Sequence, residues 1–256
     1  TSGSSNGIGR ATSVLFAAKG AKLTITGRSA ASLDETKQLC LKAGAKEEDI
    51  LELLGDVTDE NFSVKLVSAT VEKFGALDVL VNNAGGGSIE SMGKAIFDCS
   101  VIEFDKMIDL NVKPVLRLSQ LSLPYLEKTK GAIVNVSSIA SFHQLGPSAY
   151  YAASKSALDQ ITIQMAGSLA KKGIRVNSVN PGPVMTNIIV TAGGSKEVQD
   201  QTFESMKESP LIPLGRIGVP EDIAKIILFL ADRSQSEILV GHIVTADGRV
   251  MLKSAM

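Results

Sequence analysis

Short apolar segments alternate with helical patterns along nearly the whole chain, and this rhythm limits the possible folds more than any other feature. The helical segments place apolar residues three and four positions apart, as in Ile8, Ala11 and Leu15. The apolar runs lack a polar face, as is typical of strands covered by helices on both sides. The pattern predicts a doubly wound α/β fold with a parallel sheet in three layers, α/β/α. The expected strands are Lys22–Thr26, Ile50–Leu54, Leu77–Val81, Ala132–Val136, Ile174–Val179 and His242–Ala246.

Size and charge narrow the alternatives further. With 256 residues, of which 44% are apolar, the sequence can fill one large core, so we expect residues 1–256 to form a single domain. The formal net charge of −1 gives no global field that would attract nucleic acid or an anionic membrane. No apolar run approaches the roughly 20 residues of a membrane-spanning helix. Cys40 and Cys99 lack metal-ligand spacing, so we expect no metal site and reduced thiols in a cytoplasmic protein.

The chain opens with a glycine-rich turn, Thr1–Gly9, that leads directly into a helical pattern. Such a turn lets the backbone approach phosphates closely, while free N–H groups and the helix dipole supply positive potential. These features predict a pyrophosphate site of the kind found in Rossmann-type domains. An ordinary glycine-rich turn is the alternative, because three glycines alone are a weak fingerprint. The residues expected to line the site are Gly3, Ser5, Asn6, Gly7, Ile8 and Gly9.

This fingerprint is meaningful only after a strand, yet the sequence begins on the turn itself. Five buried aliphatic residues of a first central strand would contribute roughly 8–15 kcal/mol, which is comparable with the net stability of a domain. We therefore expect natural residues to precede Thr1, and the domain to be N-terminally incomplete without them. A chain that naturally lacked this strand would fold poorly.

The second expected strand ends where a dinucleotide fold contacts the adenosine ribose. A carboxylate at this point would accept both ribose hydroxyls and repel a 2′-phosphate. The sequence instead has Gly27, which removes the repulsion, and Arg28, which offers a fork of donors to a phosphate. The local chemistry favours NADP(H) over NAD(H), although a solvated loop arginine is the simpler alternative.

Tyr151 and Lys155 lie four residues apart in a segment with helical periodicity, so both side chains project from one face. An adjacent cation would lower the pKa of the Tyr151 phenol toward the working range of an acid or base. Tyr150 does not fit, because the residue four positions later is Ser154. Ser138 follows an expected strand at the sheet edge that binds ligands in open α/β folds, and it can polarise a carbonyl. Together with the glycine turn, Ser138, Tyr151 and Lys155 predict a site for proton transfer.

In combination these motifs resemble the classical short-chain dehydrogenases/reductases over the range from Thr1 to about Gly248. The spacing of thirteen residues between Ser138 and Tyr151 agrees with that family. Ser2 stands where threonine is usual, and Arg249 where a second glycine is common. The other similar positions are the glycine turn, Asp56-Val57, Asn82-Asn83-Ala84-Gly85 and Pro181-Gly182-Pro183-Val184-Met185-Thr186.

The resemblance implies an NADP(H)-dependent oxidoreductase with a catalytic tetrad. Tyr151 would give or take the proton, and Lys155 would tune it and hold the nicotinamide ribose. Ser138 would bind the substrate oxygen, and Asn111 would position a relay water, while hydride transfer belongs to the nicotinamide. The family also implies a homodimer or homotetramer formed through the helices near Asn111 and Tyr151. Further implied cofactor contacts are Asp56 and Val57 at the adenine, Asn83, Ala84 and Gly85 along the cofactor, and Pro181, Gly182, Val184 and Thr186 near the carboxamide.

The substrate is the least constrained part of the prediction. Gly85–Ser100 and Pro181–Gly218 are longer than ordinary connections and, with Phe142–Ser148, are candidate substrate loops. Their apolar residues indicate a small, uncharged, apolar or alicyclic carbonyl, although many of them can equally belong to the core. His143 is expected to be exposed rather than a substrate ligand. The apolar candidates are Phe142, Leu145, Met185, Ile188, Ile189 and Phe203.

A non-catalytic dinucleotide-binding scaffold of the same fold is the alternative function, since folds do not dictate function. The complete set of Asn111, Ser138, Tyr151 and Lys155 argues against it, because a scaffold would be free to lose these residues. For an enzyme that prefers NADP(H), the usual cellular balance of the cofactor favours reduction of a carbonyl.

Overall fold

A computed structural model describes residues 1–142, 149–207 and 212–251. The strands are β1 (Leu23–Gly27), β2 (Ile50–Leu54), β3 (Val79–Asn82), β4 (Ala132–Val136), β5 (Arg175–Pro181) and β6 (Ile243–Ala246). The helices are α1 (Gly7–Ala18), α2 (Ala30–Lys42), α3 (Glu60–Phe74), α4 (Val101–Asn111), α5 (Lys113–Thr129), α6 (Ala149–Leu169), α7 (Ile188–Thr191), α8 (Lys196–Lys207), α9 (Pro220–Ala231) and α10 (Arg233–Ser236). Each expected strand is present, with ends that shift by two residues at most.

All strand pairs are parallel, which confirms the doubly wound α/β class. β1 pairs with β2, and a second sheet has the order β3-β4-β5-β6. Parallel neighbours require crossover connections, and the helices between the strands supply them. The carboxyl ends of the strands therefore meet at one edge of the molecule, which is where open α/β folds bind ligands.

The two sheets meet at a seam between β1 and β3, and residues Thr1–Ser4 bridge it. The backbone nitrogen of Ser2 donates to the Val81 carbonyl at 3.0 Å, and that of Ser4 donates to the Thr26 carbonyl at 2.8 Å. The nitrogen of Thr1 donates to the Thr24 carbonyl at 2.9 Å. The segment that leads into the glycine turn thus links both sheets by backbone hydrogen bonds.

Helices cover the sheets on both faces, as the apolar strands require. Val134 packs with α1, α2 and α9, whereas its neighbour Ile133 packs with α3, α5 and α6. Val81 and Leu80 on β3 divide between the same two cores. Successive side chains of a strand point to opposite faces, so a strand that is covered on both sides carries aliphatic residues on both faces. Within the described ranges, no helix is long and apolar enough to span a bilayer.

Candidate active site

The glycine turn is closely packed where it enters α1. Gly3 and Gly7 have φ angles of +64° and +51°, which favour glycine. Position 9 requires glycine, because a Cβ there would lie 2.1 Å from the Gly3 carbonyl oxygen. α1 begins at Gly7, so the first backbone N–H groups of a twelve-residue helix lie at this turn. The arrangement is suited to hold an anionic group.

The segment after β3 is joined to this turn. Ser2 Oγ accepts hydrogen bonds from the backbone nitrogens of Asn83 and Ala84, both at 2.9 Å. Asn83 Nδ2 donates to the carbonyl oxygens of Ser2 and Gly3 at 2.9 and 3.1 Å. The serine that stands in place of the family's usual threonine therefore links the turn to the end of β3.

Gly27, at the end of β1, lies against Ser5. A Cβ on Gly27 would stand 1.9 Å from Ser5 Oγ, so any larger residue would require the Ser5 hydroxyl to move. The Ser5 hydroxyl is buried and has no hydrogen-bond partner among the residues that the structure describes. Arg28 follows with its side chain 61% exposed, and its Nη1 lies 3.8 Å from Asp56 Oδ2. Val57, next to Asp56, is buried in the sheet core.

The opposite end of the site is the buried cluster around α6. Ser138 follows β4 in extended conformation, and its Oγ accepts from the Ala140 nitrogen at 3.1 Å. Tyr151 is buried and forms a side-chain hydrogen bond with Ser138. Lys155 is only 4% exposed, its Nζ donates to the Val136 carbonyl at 2.9 Å, and it lies 5.8 Å from the centroid of the Tyr151 ring. The structure therefore brings these three predicted side chains together.

Burial governs the proton affinities of this cluster. Removal from water raises the pKa of the Tyr151 phenol, and the hydrogen bond with Ser138 acts against that increase. The expectation that Lys155 would lower the Tyr151 pKa below its ordinary value is therefore wrong for the protein alone, because loss of phenolate hydration dominates. Burial also lowers the pKa of Lys155 to about 8, and the charge of Asp159 acts in the opposite direction.

Asn111, the last residue of α4, is tied to the loop after β3. Its Oδ1 accepts from the Gly86 nitrogen, and its Nδ2 donates to the Gly86 carbonyl and to Ser154 Oγ, each at 3.0 Å. A Cβ on Gly85 would lie 2.8 Å from Asn111 Oδ1 and 3.3 Å from Lys155 Nζ. Gly85 therefore allows the chain to pass close to both side chains.

The segment after β5 closes the site next to the glycine turn. The Gly182 nitrogen donates to the Ala246 carbonyl at 3.0 Å, which extends the pairing of Pro181 with β6. Val184 forms an isolated parallel bridge with Gly218. Thr186 lies against the turn, since a Cβ on Gly7 would stand 3.1 Å from Thr186 Cγ2.

The apolar side chains predicted to contact substrate divide into two groups. Phe142, Met185 and Ile188 are substantially exposed. Ile189 is buried, which favours the alternative that it belongs to the core, and Phe203 is half-buried against a small core that includes Ile139. They lie on the inward faces of α7 and α8. His143 and Leu145 lie outside the described residues.

Two buried polar residues of this region were not predicted from the sequence. Asp159 lies on α6 four residues after Lys155, and its Oδ2 accepts from Asn180 Nδ2 at 2.7 Å. The helical spacing Tyr151, Lys155, Asp159 is a signal that could have indicated the first of them. Asn180 on β5 carried no such signal, because a strand that is buried on both faces has no polar periodicity.

The geometry fits a dinucleotide. Exposed Arg28 and the unpartnered Ser5 hydroxyl lie at one end, the glycine turn lies between, and Lys155 with Tyr151 lies at the other. At Gly9 and Gly85 a Cβ would clash with neighbouring atoms of the site, so the absence of a side chain at these two positions allows the backbone segments to lie close together.

Comparison with known proteins shows that the chain is similar in sequence and fold to known oxidoreductases. A family model described as enoyl-(acyl carrier protein) reductase matches residues 3–249. The 3-oxoacyl-[acyl-carrier-protein] reductase FabG of Thermotoga maritima is 34% identical over 253 residues, covering 98% of this chain and 96% of that protein. A Caenorhabditis elegans short-chain dehydrogenase/reductase of unknown function, solved with cofactor, matches with a TM-score of 0.93 and 42% identity, covering 99% and 94% of the two chains. Glucose dehydrogenase of the same organism, in its apo form, matches with a TM-score of 0.81 and 43% identity, covering 98% and 96%.

The chain belongs to the classical short-chain dehydrogenase/reductase family. It is an oxidoreductase that acts on alcohol or carbonyl groups of small molecules with a nicotinamide dinucleotide as cofactor.

Proposed function

We propose that this protein is a single-domain NADP(H)-dependent oxidoreductase that interconverts a carbonyl group and a secondary alcohol of a small, uncharged, apolar substrate. The observation that carries the proposal is the meeting of Tyr151, Ser138 and Lys155 at the carboxyl end of β4, beside Gly85. An acid, a hydroxyl that can bind an oxygen, and a cation converge there in a buried setting.

Each of these side chains has a role that its surroundings support. The Tyr151 phenol donates the proton to the carbonyl oxygen during reduction and accepts it during oxidation. Its raised pKa keeps the phenol protonated, and so ready to donate, at neutral pH. Ser138 holds the substrate oxygen next to Tyr151, and the Lys155 ammonium favours the tyrosinate that forms as the proton leaves. Asn111 holds the backbone of Gly86, and it would position a relay water.

The bound dinucleotide supplies or accepts the hydride at its nicotinamide ring. Lys155 and Tyr151 would hold its nicotinamide ribose, and the exposed Asp56 with buried Val57 would contact its adenine. The other residues proposed to hold it are Gly3, Ser5, Asn6, Gly7, Ile8, Gly9, Asn83, Ala84, Gly85, Pro181, Gly182, Val184 and Thr186.

The preference for NADP(H) is supported by the end of β1. Gly27 carries no carboxylate, and the exposed Arg28 makes a long contact of 3.8 Å with Asp56, so its guanidinium is available to a phosphate. The buried Ser5 hydroxyl against Gly27 is a second donor at this place.

The apolar character of the substrate is supported by Phe142 and Met185. Phe142 ends the turn that follows Ser138, and Met185 precedes Thr186 beside the glycine turn; both side chains are exposed. We further propose a homo-oligomer, because α4 leaves Val101 and Ile102 exposed close to Phe97, which is 98% exposed.

The test combines thermal melting with turnover. NADPH at about 100 times its Kd should stabilise the protein by about 2.7 kcal/mol, and NADH at the same concentration by clearly less. Cyclohexanone and 2,3-butanedione should be reduced with NADPH, whereas glucose, the polar comparison suggested by one relative, should be a poor substrate for oxidation. Equal or greater stabilisation by NADH would refute the NADP(H) preference, and stabilisation without turnover of any carbonyl would refute the enzymatic proposal.

A further inference from the structure

A buried amide lies directly behind Ser138. Asn180, near the end of β5, is fully buried, and its Nδ2 lies 3.1 Å from the Ser138 carbonyl oxygen and 3.0 Å from Ser141 Oγ. The same Nδ2 donates to Asp159 Oδ2 at 2.7 Å, and Asn180 Oδ1 accepts from Ser178 Oγ at 2.8 Å. One side chain thus connects β5, α6 and the turn that begins at Ser138.

Asp159 fixes which way the Asn180 amide faces. An ionised carboxylate only accepts hydrogen bonds, so Asp159 requires the Nδ2 end of the amide, and the Oδ1 end is left for Ser178. With Nδ2 on the side of Asp159, the same group also donates to the Ser138 carbonyl. The orientation that satisfies Asp159 is therefore the one that anchors Ser138.

The peptide of Ser138 is held from several directions. Ser141 Oγ donates to the Ser138 carbonyl at 2.8 Å, and the Ser141 nitrogen donates to the same oxygen at 3.1 Å. The Ser138 hydroxyl accepts from the Ala140 nitrogen at 3.1 Å and is hydrogen-bonded to Tyr151. The position of this hydroxyl relative to Tyr151 therefore depends on a carbonyl that Asn180 holds in place.

Asp159 also acts on Lys155, one helical turn before it. Its carboxylate is 7% exposed, and its charge raises the pKa of Lys155 against the effect of burial. Burial raises the pKa of Asp159 itself, while the hydrogen bond from the Asn180 amide and the charge of Lys155 lower it. A buried carboxylate is costly unless it is paired, and here the Asn180 amide and the charge of Lys155 offset that cost.

We propose that Asn180 and Asp159 are a positioning pair for Ser138: Asp159 orients the Asn180 amide, and the amide fixes the peptide that carries the Ser138 hydroxyl. Neither residue touches substrate, and both act through Ser138. The effect on turnover rests on the proposed function, whereas the effect on the Ser138 turn does not.

The test compares Asn180→Ala with Asn177→Ala. Asn177 is a matched control because it is a fully buried asparagine on the same strand, but its side chain is bonded to Leu239 and His242. Hydrogen–deuterium exchange by mass spectrometry reads the amides of the 138–142 turn, and steady-state kinetics with NADPH and 2,3-butanedione read kcat and KM.

Asn180→Ala should speed exchange in the 138–142 turn by about tenfold or more and lower kcat by roughly 10- to 100-fold, as expected when a reacting group is displaced. The KM for NADPH should stay within about twofold. Asn177→Ala should lower the melting temperature and leave exchange in the turn and kcat unchanged. Asp159→Asn preserves the shape of the carboxylate and serves if Asn180→Ala does not fold; its exchange in the turn should exceed that of both the wild type and Asn177→Ala, and exchange equal to that of Asn177→Ala would overturn the proposal.

Unchanged exchange in the 138–142 turn of Asn180→Ala, or an increase no larger than in Asn177→Ala, would overturn the proposal. If the wild-type protein reduces no carbonyl at all, the proposed function fails, and the exchange measurements still decide whether Asn180 holds the turn.

Discussion

The two ends of the proposed dinucleotide site differ in how firmly the protein holds their side chains. Lys155 is almost fully buried and bonded to the backbone of β4, and Asn111 makes three hydrogen bonds of 3.0 Å. Arg28 is mostly exposed, and its contact with Asp56 is a single long ion pair of a kind that contributes little to stability. The proposed chemistry is thus tied to the core, whereas the proposed cofactor preference depends on a surface residue that can change without disturbing the fold.

The largest effect is expected for Tyr151→Phe, which tests proton transfer at the buried end of the site. We expect kcat to fall by roughly 10²- to 10⁴-fold, because the acid that transfers the proton is removed. The stabilisation by NADPH should persist, as measured by thermal melting. Tyr150→Phe is the matched control; its hydroxyl bonds the Cys99 carbonyl, so kcat should stay within about threefold. Full turnover in Tyr151→Phe would remove Tyr151 from the mechanism.

The burial of Lys155 can also be tested by measuring how the free energy of unfolding depends on pH. Burial lowers the pKa of Lys155 from 10.5 to about 8, so the unfolded chain binds this proton more tightly than the folded one. The free energy of unfolding should rise by roughly 3 kcal/mol between pH 8 and 10.5, relative to Lys155→Met, which cannot titrate. Urea unfolding at each pH gives the difference.

The matched control for the pH series is Lys113→Met. Lys113 is exposed, and the hydrogen bond with Asp109 raises its pKa in the folded protein, so its contribution to stability cannot increase with pH and the difference between Lys113→Met and wild type should not rise. Parallel curves for the wild type and Lys155→Met would mean that the folded protein does not lower the pKa of Lys155.

At the exposed end, Arg28→Asp should reverse the cofactor preference. Loss of charged hydrogen bonds to a 2′-phosphate should weaken NADPH binding by roughly 10- to 100-fold, while a carboxylate can accept the ribose hydroxyls of NADH. The Kd values from fluorescence titration check this. Lys128→Asp makes the same charge change at an exposed position on α5 and should leave both affinities unaltered. Equal weakening in the two variants would point to long-range charge rather than contact.

The smallest expected effect concerns the glycine between the two ends. In Gly85→Ala the new Cβ would approach Asn111 Oδ1 and Lys155 Nζ, so we expect a loss of about 1–3 kcal/mol of stability. Gly87→Ala is the control, since a Cβ there meets nothing within 4 Å and should be neutral or slightly stabilising. Similar melting temperatures for the two variants would show that the space near Asn111 is not limiting.

The sequence predicted the strands well because each contains a short run rich in aliphatic residues and is bounded by clear helical patterns. It also predicted which side chains would meet near Lys155, since the spacing of Tyr151 and Lys155 on a helix and the place of Ser138 after β4 are local features. These depend on periodicity, which a single sequence contains.

Properties that arise only after packing were missed. The raised pKa of Tyr151 comes from burial, which the spacing to Lys155 does not report. The apolar character of Ile189 left open whether it contacts substrate or belongs to the core, and only the packing of α7 shows that it is buried. The contact between Asn180 and Asp159 joins a strand to a helix 21 positions away, so no local pattern indicates it.

The bridge formed by Thr1–Ser4 gives the glycine turn a mechanical role as well as a binding role. The same few residues fasten one sheet to the other and lead into the helix end that would hold the pyrophosphate. A ligand bound at this turn would stabilise the junction between the two sheets. The β1–β2 pair could then separate from β3 only if the contacts between the ligand and the turn were broken. Binding of a cofactor at this turn should therefore also raise the free energy needed to open the junction between the two sheets.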